Sequence, residues 1–326
     1  MSKGENIEPK HRHMAWAGIA GVAAGAALMI YVPSLKPISS TLFLFGGFHL
    51  VGLVVVLASL YVIRGRKLGF GRRFASVTNG NDAGFDFGWA PGWIYGPWIV
   101  ALIQAAIAVV IQVAAPGYWP LAMGLTLLAA SSFAGGLTTR SVGHYEEALL
   151  PAVDLLSGGD NLVLDAGCGA GRTTIALGRA FKKDRIVAFD RFDSSYIEGG
   201  GRRLLEKNLL LAGLSERVQI ESGDLTAMPF PDQTFDAVVS AHAIDHLGAK
   251  AEQALREALR VLKPGGRLLL IVSVPGWTMF SVASVLSFFL SGKQAWRRMS
   301  ANVGFALKDE GSFNGVWFAL LERTGN

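Results

Sequence analysis

Up to residue 137 the chain is patterned by long apolar runs instead of a hydrophobic face set against a polar one. Met14–Val32, Thr41–Ile63, Trp93–Ala115 and Tyr118–Leu137 carry no Asp, Glu, Lys or Arg. Each nears the roughly 20 residues that cross a ~30 Å hydrocarbon core. The pattern predicts a four-helix transmembrane region over residues 14–137, preceded by a cytoplasmic tail (1–13) and interrupted by a cytoplasmic loop (64–92). A very apolar soluble core, or hairpins only partly inserted, are the alternatives, but buried soluble helices seldom run this far without a charge. Gly18, Gly21 and Gly25 give the first helix a small-residue face suited to close packing. His49 is the ionisable side chain within these runs, with Gln104 and Gln112 as weaker polar positions. It is expected to bond a neighbouring helix instead of relaying protons, so the region looks like an anchor more than a transporter. Trp89, Trp93, Tyr95 and Trp98 form an expected interfacial belt.

Beyond Arg140 the period changes. Short apolar strands are predicted at Asn161–Leu164, Arg185–Phe189, Val218–Glu221, Phe235–Ser240 and Arg267–Val274, with two final strands at Val303–Leu307 and Val316–Leu321. Helices alternate with them at His144–Leu156, Thr173–Phe181, Arg202–Ala212 and Ala249–Leu262, the last stopped by Lys263-Pro264-Gly265-Gly266. This alternation implies an α/β domain over residues 138–326, a Rossmann-like parallel sheet of seven strands with helices on both faces. Ligands of such sheets lie beyond the carboxyl ends of the strands. Gly276–Leu290 is apolar but short for a span, and is expected to lie in the bilayer surface as an interfacial helix (276–291).

Composition sharpens this division. Of 326 residues, 51% are hydrophobic and 17% charged, against about 25% charged in an average soluble domain. With a mean hydropathy of +0.37, a wholly soluble enzyme is disfavoured. Nine basic and four acidic residues precede Thr138, which leaves 21 of each in the remainder. The α/β half is therefore neutral and offers nucleic acid no basic face. Lys3, Lys10 and Arg12 flank the first run and Arg64, Arg66, Lys67, Arg72 and Arg73 follow the second, whereas the loop between them holds only Lys36. That asymmetry places both termini, the middle loop and the α/β domain in the cytoplasm, as parts of a multi-pass integral membrane protein. The single cysteine, Cys168, excludes an internal disulfide and multi-thiol metal or arsenic chemistry. No metal site is predicted.

Candidate chemistry gathers at the strand ends. Asp165-Ala166-Gly167-Cys168-Gly169-Ala170-Gly171 follows the first strand. A dinucleotide fingerprint spaces its glycines G-x-G-x-x-G, but here the third arrives one residue early and Arg172 stands where the last small residue would be. Asp165 puts a carboxylate beside the loop, which suits a cationic ligand better than a pyrophosphate. The glycines admit close backbone approach, and Cys168 lines the loop as a small apolar residue. Asp190 ends the second strand, next to Arg191, where a carboxylate can accept both hydroxyls of a ribose. Asp224 ends the third, placed to accept an adenine amino group, and Ser240 ends the fourth.

The segments Leu162–Thr173 (LVLDAGCGAGRT), Val187–Asp190, Glu221–Asp224, Met228–Ser240 (MPFPDQTFDAVVS) and Leu259–Arg267 (LRVLKPGGR) resemble the class I S-adenosylmethionine-dependent methyltransferases. The resemblance covers about residues 141–322 and is nearest the branch containing quinone-biosynthesis and other small-molecule enzymes. It implies S-adenosylmethionine as cofactor, with Gly167, Gly169 and Gly171 against its methionine and ribose, Asp190 on the ribose, and Asp224 with Leu225 on the adenine. Next along the chain, His242, Asp245 and His246 are the candidate catalytic residues. An oxygen or ammonium acceptor must lose a proton, and histidine titrates nearest neutrality. The plainer alternative is that His246 packs on the following helix and Asp245 caps it.

These features together imply a membrane-anchored methyltransferase acting on a small lipophilic acceptor at the cytoplasmic face, with the lipid bilayer as partner. The alternative is a membrane-bound S-adenosylmethionine-binding regulatory or interaction protein without turnover. A nicotinamide oxidoreductase is disfavoured by the glycine spacing. Phe85, Phe87 and Trp89, with Trp277–Phe289, are expected to form an apolar passage by which the acceptor reaches His242.

Overall fold

The computed structural model describes residues 12–67, 74–76, 84–88, 91–143, 149–151, 154–156, 160–193, 201–313 and 316–324. The tail before Arg12, Arg72, Arg73, Trp89 and His144 lie outside the described residues. The chain divides into two compact units.

The first unit takes in Met1–Arg64, Pro91–Gly143 and Trp277–Leu286. Its helices are α1 (Arg12–Tyr31), α2 (Lys36–Lys67), α3 (Pro91–Ala114) and α4 (Trp119–Gly143), at the four expected positions, together with the later helix α8 (Trp277–Ala283). By length and composition, Ile94–Ala114 and Pro116–Leu137 suffice to cross a membrane, while Trp16–Tyr31 and Ile38–Val54 are shorter apolar helices. So two of the four expected spans meet that test among the described residues. Small side chains mediate the packing. A Cβ at Gly46 would lie 2.7 Å from the Gly18 carbonyl oxygen, so the glycine face of α1 seats against α2 as its sequence predicts. Ala101, Ala108, Ala122, Ala129, Ala130 and Ala134 are buried, whereas Ile99, Leu102, Val110 and Val113 face outward. The Ser132 hydroxyl donates to Gln104 Oε1 at 3.2 Å, linking α4 to α3.

Three expectations change here. His49 donates from Nδ1 to the Phe45 carbonyl of its own helix at 2.9 Å, because a carbonyl one turn back lies within reach of a short polar side chain. Trp98 stacks on Phe133 with ring centroids 6.2 Å apart and so packs α3 on α4 instead of marking an interface. The apolar segment after residue 276 is not one continuous helix. It forms α8 and then a 3-10 turn over Ser284–Phe289, broken where Ser284 takes φ +51°. Within the unit α8 docks on α4: the buried Ser131 and Ser281 hydroxyls meet at 2.8 Å. A Cβ at Gly135 would stand 1.8 Å from the Ser281 carbonyl oxygen.

The second unit takes in Gly65–Ala90, His144–Gly276 and Ser287–Asn326. Its main sheet comprises β3 (Leu162–Ala166), β4 (Arg185–Asp190), β5 (Val218–Ser222), β6 (Phe235–Ala241), β7 (Leu262–Ser273), β8 (Phe305–Phe313) and β9 (Val316–Arg323). Across the sheet the order is β5, β4, β3, β6, β7, β9, β8. The first five are parallel, and β9 enters antiparallel between β7 and β8. The sheet is thus mixed where a wholly parallel one was expected. The direct β8–β9 connection is too short for a crossover helix, so that pair must be antiparallel.

Both faces of the sheet are covered. On β7, Leu268, Leu270 and Val272 join one cluster with Leu255 and Ala258 of α7 (Ala251–Val261) and Trp296 of α9 (Lys293–Val303). Leu269 and Ile271 point the other way, into a cluster with Ile175 of α5 (Arg172–Ala180) and Leu205 and Leu209 of α6 (Gly201–Ala212). This two-sided burial explains why the strands read as continuous apolar runs without alternation. The expected helix over His144–Leu156 is not present at its described residues. Leu149–Pro151 instead forms strand β2, antiparallel to β1 (Phe74–Ser76). Pro151 disfavours a helical Leu150 and has no amide hydrogen to continue a helix.

Candidate active site

Chain order reverses at the centre of the sheet: β3 leads outward to β4 and β5, and the chain then returns to β6 on the other side of β3. The carboxyl ends of β3 and β6 therefore flank a switch point, the place where open α/β sheets bind ligands. The glycine loop leaves β3 at this point. Gly167 has φ +89° and Gly171 φ +91°, a backbone region that strains any other residue. A Cβ on Gly167 would come within 2.1 Å of the Ala243 Cβ and 3.6 Å of Leu225 Cδ1. The loop is thereby brought against both the candidate adenine residue and the His242–His246 segment.

Hydrogen bonds hold the loop to β4. The amides of Gly167 and Cys168 both donate to the Phe189 carbonyl, at 2.7 and 3.2 Å. The Gly169 amide donates to Asp190 Oδ2 at 2.9 Å and the Phe192 amide to Oδ1 at 2.8 Å. A carboxylate has about four lone-pair sites, so Asp190 keeps capacity for two hydroxyl donors. Asp224 accepts from both the amide and hydroxyl of Thr226 at 2.8 Å, which holds its carboxyl below the ordinary value. Its second oxygen lies 3.9 Å from Arg191 Nη1, and Arg191 also binds Asp193 at 2.6 Å.

Asp165 is fully buried. The Thr174 hydroxyl donates to its Oδ2 at 2.5 Å, while its Oδ1 has no hydrogen-bond partner among the described residues. Burial pushes its carboxyl up to about 7, opposed by Thr174 and reinforced by the charge of Asp190. Burial also pushes the Cys168 thiol well up, in keeping with a small lining residue and not a nucleophile. Ser240 is buried at the β6 end, and its Oγ likewise lacks a partner among the described residues.

The second cluster follows β6. His242 takes φ +54°, anchored by its amide on the Ile271 carbonyl at 2.9 Å. Its ring is 45% exposed, with Nδ1 3.3 Å from Ser273 Oγ and 3.9 Å from Asp245 Oδ2. Asp245 does not cap the following helix. Its Oδ2 accepts the Ser273 amide at 2.9 Å, tying the segment to the end of β7. Burial raises the Asp245 carboxyl, but the His242 imidazole, the Ser273 amide and His246 together outweigh this and hold it below its ordinary value. His246 is exposed, and its amide donates to the Ala243 carbonyl at 3.1 Å. No cluster of metal-binding side chains occurs among the described residues.

Sequence inspection missed three participants. Thr174 lies inside an expected helix with nothing to distinguish it. Ser273 was passed over as a strand residue. Asn208 carried a signal, since it is a polar residue on the buried face of α6 between Leu205 and Leu209. Phe85 and Phe87, expected along an acceptor passage, instead pack on the core containing Leu205 and Leu209.

Residues 164–270 match a family model described as a methyltransferase domain. A ubiquinone/menaquinone biosynthesis C-methyltransferase of Azotobacter vinelandii is 36% identical over 111 residues, covering 34% of this chain and 42% of that protein. An uncharacterized 37.1 kDa protein of a Streptomyces fradiae transposon is 32% identical over 146 residues, 44% of this chain and 38% of that protein. A solved S-adenosylmethionine-dependent methyltransferase from Aquifex aeolicus shares 18% identity with a TM-score of 0.42, covering 50% of this chain and 82% of that one. The chain spans about two fifths of the length of the curated relatives it matches. S-adenosylmethionine is the cofactor of such domains, and the residues present fit it. Asp165 holds a buried, unpartnered oxygen for an ammonium group, and the absence of a side chain at Gly167 lets the loop close on Ala243 and Leu225 beside it. Residues 164–270, which match the methyltransferase-domain model, thus carry this cradle at the switch point of a seven-stranded sheet.

Proposed function

We propose that this chain is a membrane-anchored S-adenosylmethionine-dependent methyltransferase that methylates a small lipophilic acceptor at the cytoplasmic membrane face. One observation carries the proposal. A methyl-donor cradle is encoded in the same chain as a helix pair whose large apolar side chains face outward, with alanine and serine inside. Outward-facing leucine and valine are stable against lipid and costly against water. Relatives named for C-methylation in ubiquinone and menaquinone biosynthesis add support for a lipophilic acceptor.

When bound, S-adenosylmethionine supplies an electrophilic methyl group on a sulfonium. Asp165 receives the ammonium, Asp190 the ribose hydroxyls, and Asp224 with Leu225 the adenine. Gly167 and Gly169 let the backbone close on the ligand. His242 removes the proton that an oxygen or nitrogen acceptor must lose, through the ring nitrogen not turned toward Ser273. Asp245 stays ionised and steadies the imidazolium that results, much as a buried carboxylate supports other catalytic histidines. The remaining requirement is alignment of donor and acceptor with water excluded.

The test is incubation of the full chain with isotopically labelled methyl donor and a membrane extract, then mass analysis of the labelled product. A labelled lipid-soluble product supports the proposal. Donor binding with no labelled product from any extract fraction would instead favour a regulatory binding protein. Topology is checked by cysteine-labelling probes at the N-terminus, near Arg72 and at Asn326, all expected on the cytoplasmic side. A probe on the far side at Asn326 would overturn the anchoring scheme.

A further inference from the structure

Between α2 and α3 the chain returns to the second unit as Gly84-Phe85-Asp86-Phe87-Gly88. One side chain grips the middle of this segment. The Asp86 amide donates to Asn208 Oδ1 at 3.1 Å, and Asn208 Nδ2 donates to the Asp86 carbonyl at 2.7 Å. The side-chain amide thus pairs with both backbone groups of Asp86, as a neighbouring strand would. Asn208 Nδ2 also donates to the carbonyl of Ala170 at 2.8 Å. Ala170 stands between Gly169 and Gly171, in the middle of the donor-binding loop.

Asn208 is 0% exposed, and both hydrogens on Nδ2 are used. Removing it would leave the Ala170 carbonyl of the glycine loop unmatched in a buried setting and release the part-buried Asp86 carbonyl of the strap. The strap is fixed elsewhere too. Asp86 Oδ1 accepts the Gly88 amide at 2.9 Å, which sets a local turn. The Arg172 guanidinium lies 4.8 Å over the Phe87 ring and Arg179 lies 5.4 Å over Phe85. Both arginines belong to α5, the helix that begins where the glycine loop ends. On the other side, a Cβ at Gly171 would meet Leu205 Cδ1 at 2.5 Å, so α6 backs the loop through Leu205 as well as Asn208. The strap, α6 and the loop form one packed assembly.

We propose that residues 84–88 are an integral part of the methyl-donor site, with Asn208 a positioning residue that transmits the state of this strap to the glycine loop. The proposal rests on the assignment of that loop to S-adenosylmethionine. Occupancy of the donor site and ordering of the strap are then linked, and linkage is reciprocal: whatever factor the strap adds to donor affinity, the donor returns to strap stability. Residues 84–88 thereby report whether donor or its demethylated product is bound. A purely architectural clamp would stabilise the fold but would not respond to ligand.

The experiment uses the full chain in detergent with S-adenosylhomocysteine as probe, combining calorimetry with hydrogen exchange resolved to residues 84–88. Saturating probe is expected to slow exchange in this stretch at least fivefold. Asn208→Ala is expected to weaken probe affinity about tenfold and abolish the protection at 84–88. Phe87→Leu, which keeps an apolar side chain against the core but removes the ring under Arg172, is expected to weaken affinity about threefold and serves if Asn208→Ala does not fold. Probe that binds the native chain without changing exchange at 84–88 overturns the strap proposal alone. A native, folded chain that binds no probe overturns the cofactor assignment, and the strap proposal with it.

Discussion

Helix α7 turns Leu255, Ala258 and Val261 inward and leaves Glu252 and Arg256 paired at the surface, whereas α3 hides Ala101 and Ala108 and turns Ile99, Leu102 and Val110 outward. Both helices are regular, so the difference lies in what each must be stable against. Burial of apolar area from water, at about 25 cal/mol per Å², drives α7 onto the sheet. That term cannot hold α3 to α4, because their larger apolar side chains remain outside. Close contact between small residues does so instead, supplemented by interhelical hydrogen bonds such as Ser132 to Gln104, the mode of association that the proposed membrane setting calls for. The same logic admits α8. Its backbone can lie against α4 only because position 135 has no side chain.

The contrast can be broken most directly in the α/β unit. Leu255→Ala should cost about 2–5 kcal/mol, the range for emptying a fully buried leucine site, measured as a fall in the denaturation midpoint of that unit. A loss under about 1 kcal/mol would deny α7 a close-packed core. In the helical unit the sensitive change is the opposite one. Ala129→Leu should cost about 1–3 kcal/mol through overpacking, seen in thermal denaturation of the detergent-solubilised chain. Indifference to that added bulk would remove the small-residue interior.

The donor cradle is the point where polar contacts, not packing, decide the outcome. Asp190→Ala should weaken S-adenosylhomocysteine binding by roughly 1–3 kcal/mol, through unmatched partners on both loop and ligand. Calorimetry giving undiminished affinity would take Asp190 out of the site. Asp165 adds a pH dependence of smaller size. Its folded carboxyl titrates at about 7, far above an unfolded aspartate at about 4, so between those values the folded state binds more protons. Its contribution to stability therefore falls as pH rises from about 4 to 7 and levels off above. A ligand ammonium favours the ionised form, so donor affinity should rise between pH 6 and 8, by at most about tenfold per unit. Asp165→Asn should flatten that rise, and a native profile already flat would show that Asp165 does not titrate on binding. The smallest effect belongs to the outer face: Leu102→Ala, at a side chain 71% exposed, should stay within about 0.5 kcal/mol. A larger loss would mean that α3 is covered by protein.

Local pattern determined a great deal here. Charge-free runs located α1 to α4 within a few residues, since a helix surrounded by lipid or by other helices needs no polar face. The central strands of the sheet were legible because two-sided burial demands continuous apolar runs, whereas the edge strand β8, expected over Val303–Leu307, runs over Phe305–Phe313 through Lys308, Asp309 and Glu310. The placement of Asp165, Asp190 and Asp224 at or just past the carboxyl ends of β3, β4 and β5 was legible from the strand pattern, and the tight turn of the glycine loop from its glycines. Tertiary structure alone decided which distant segments meet. The antiparallel entry of β9, the pairing of Leu149–Pro151 with Phe74–Ser76, the docking of α8 on α4 and the grip of Asn208 on Asp86 all join positions far apart in the chain. Such contacts depend on complementary shape and on leftover hydrogen-bonding groups, neither of which has a period that a single sequence displays. The protonation of Asp165 belongs with them, because the carboxyl titrates at about 7 only once the fold has removed it from water.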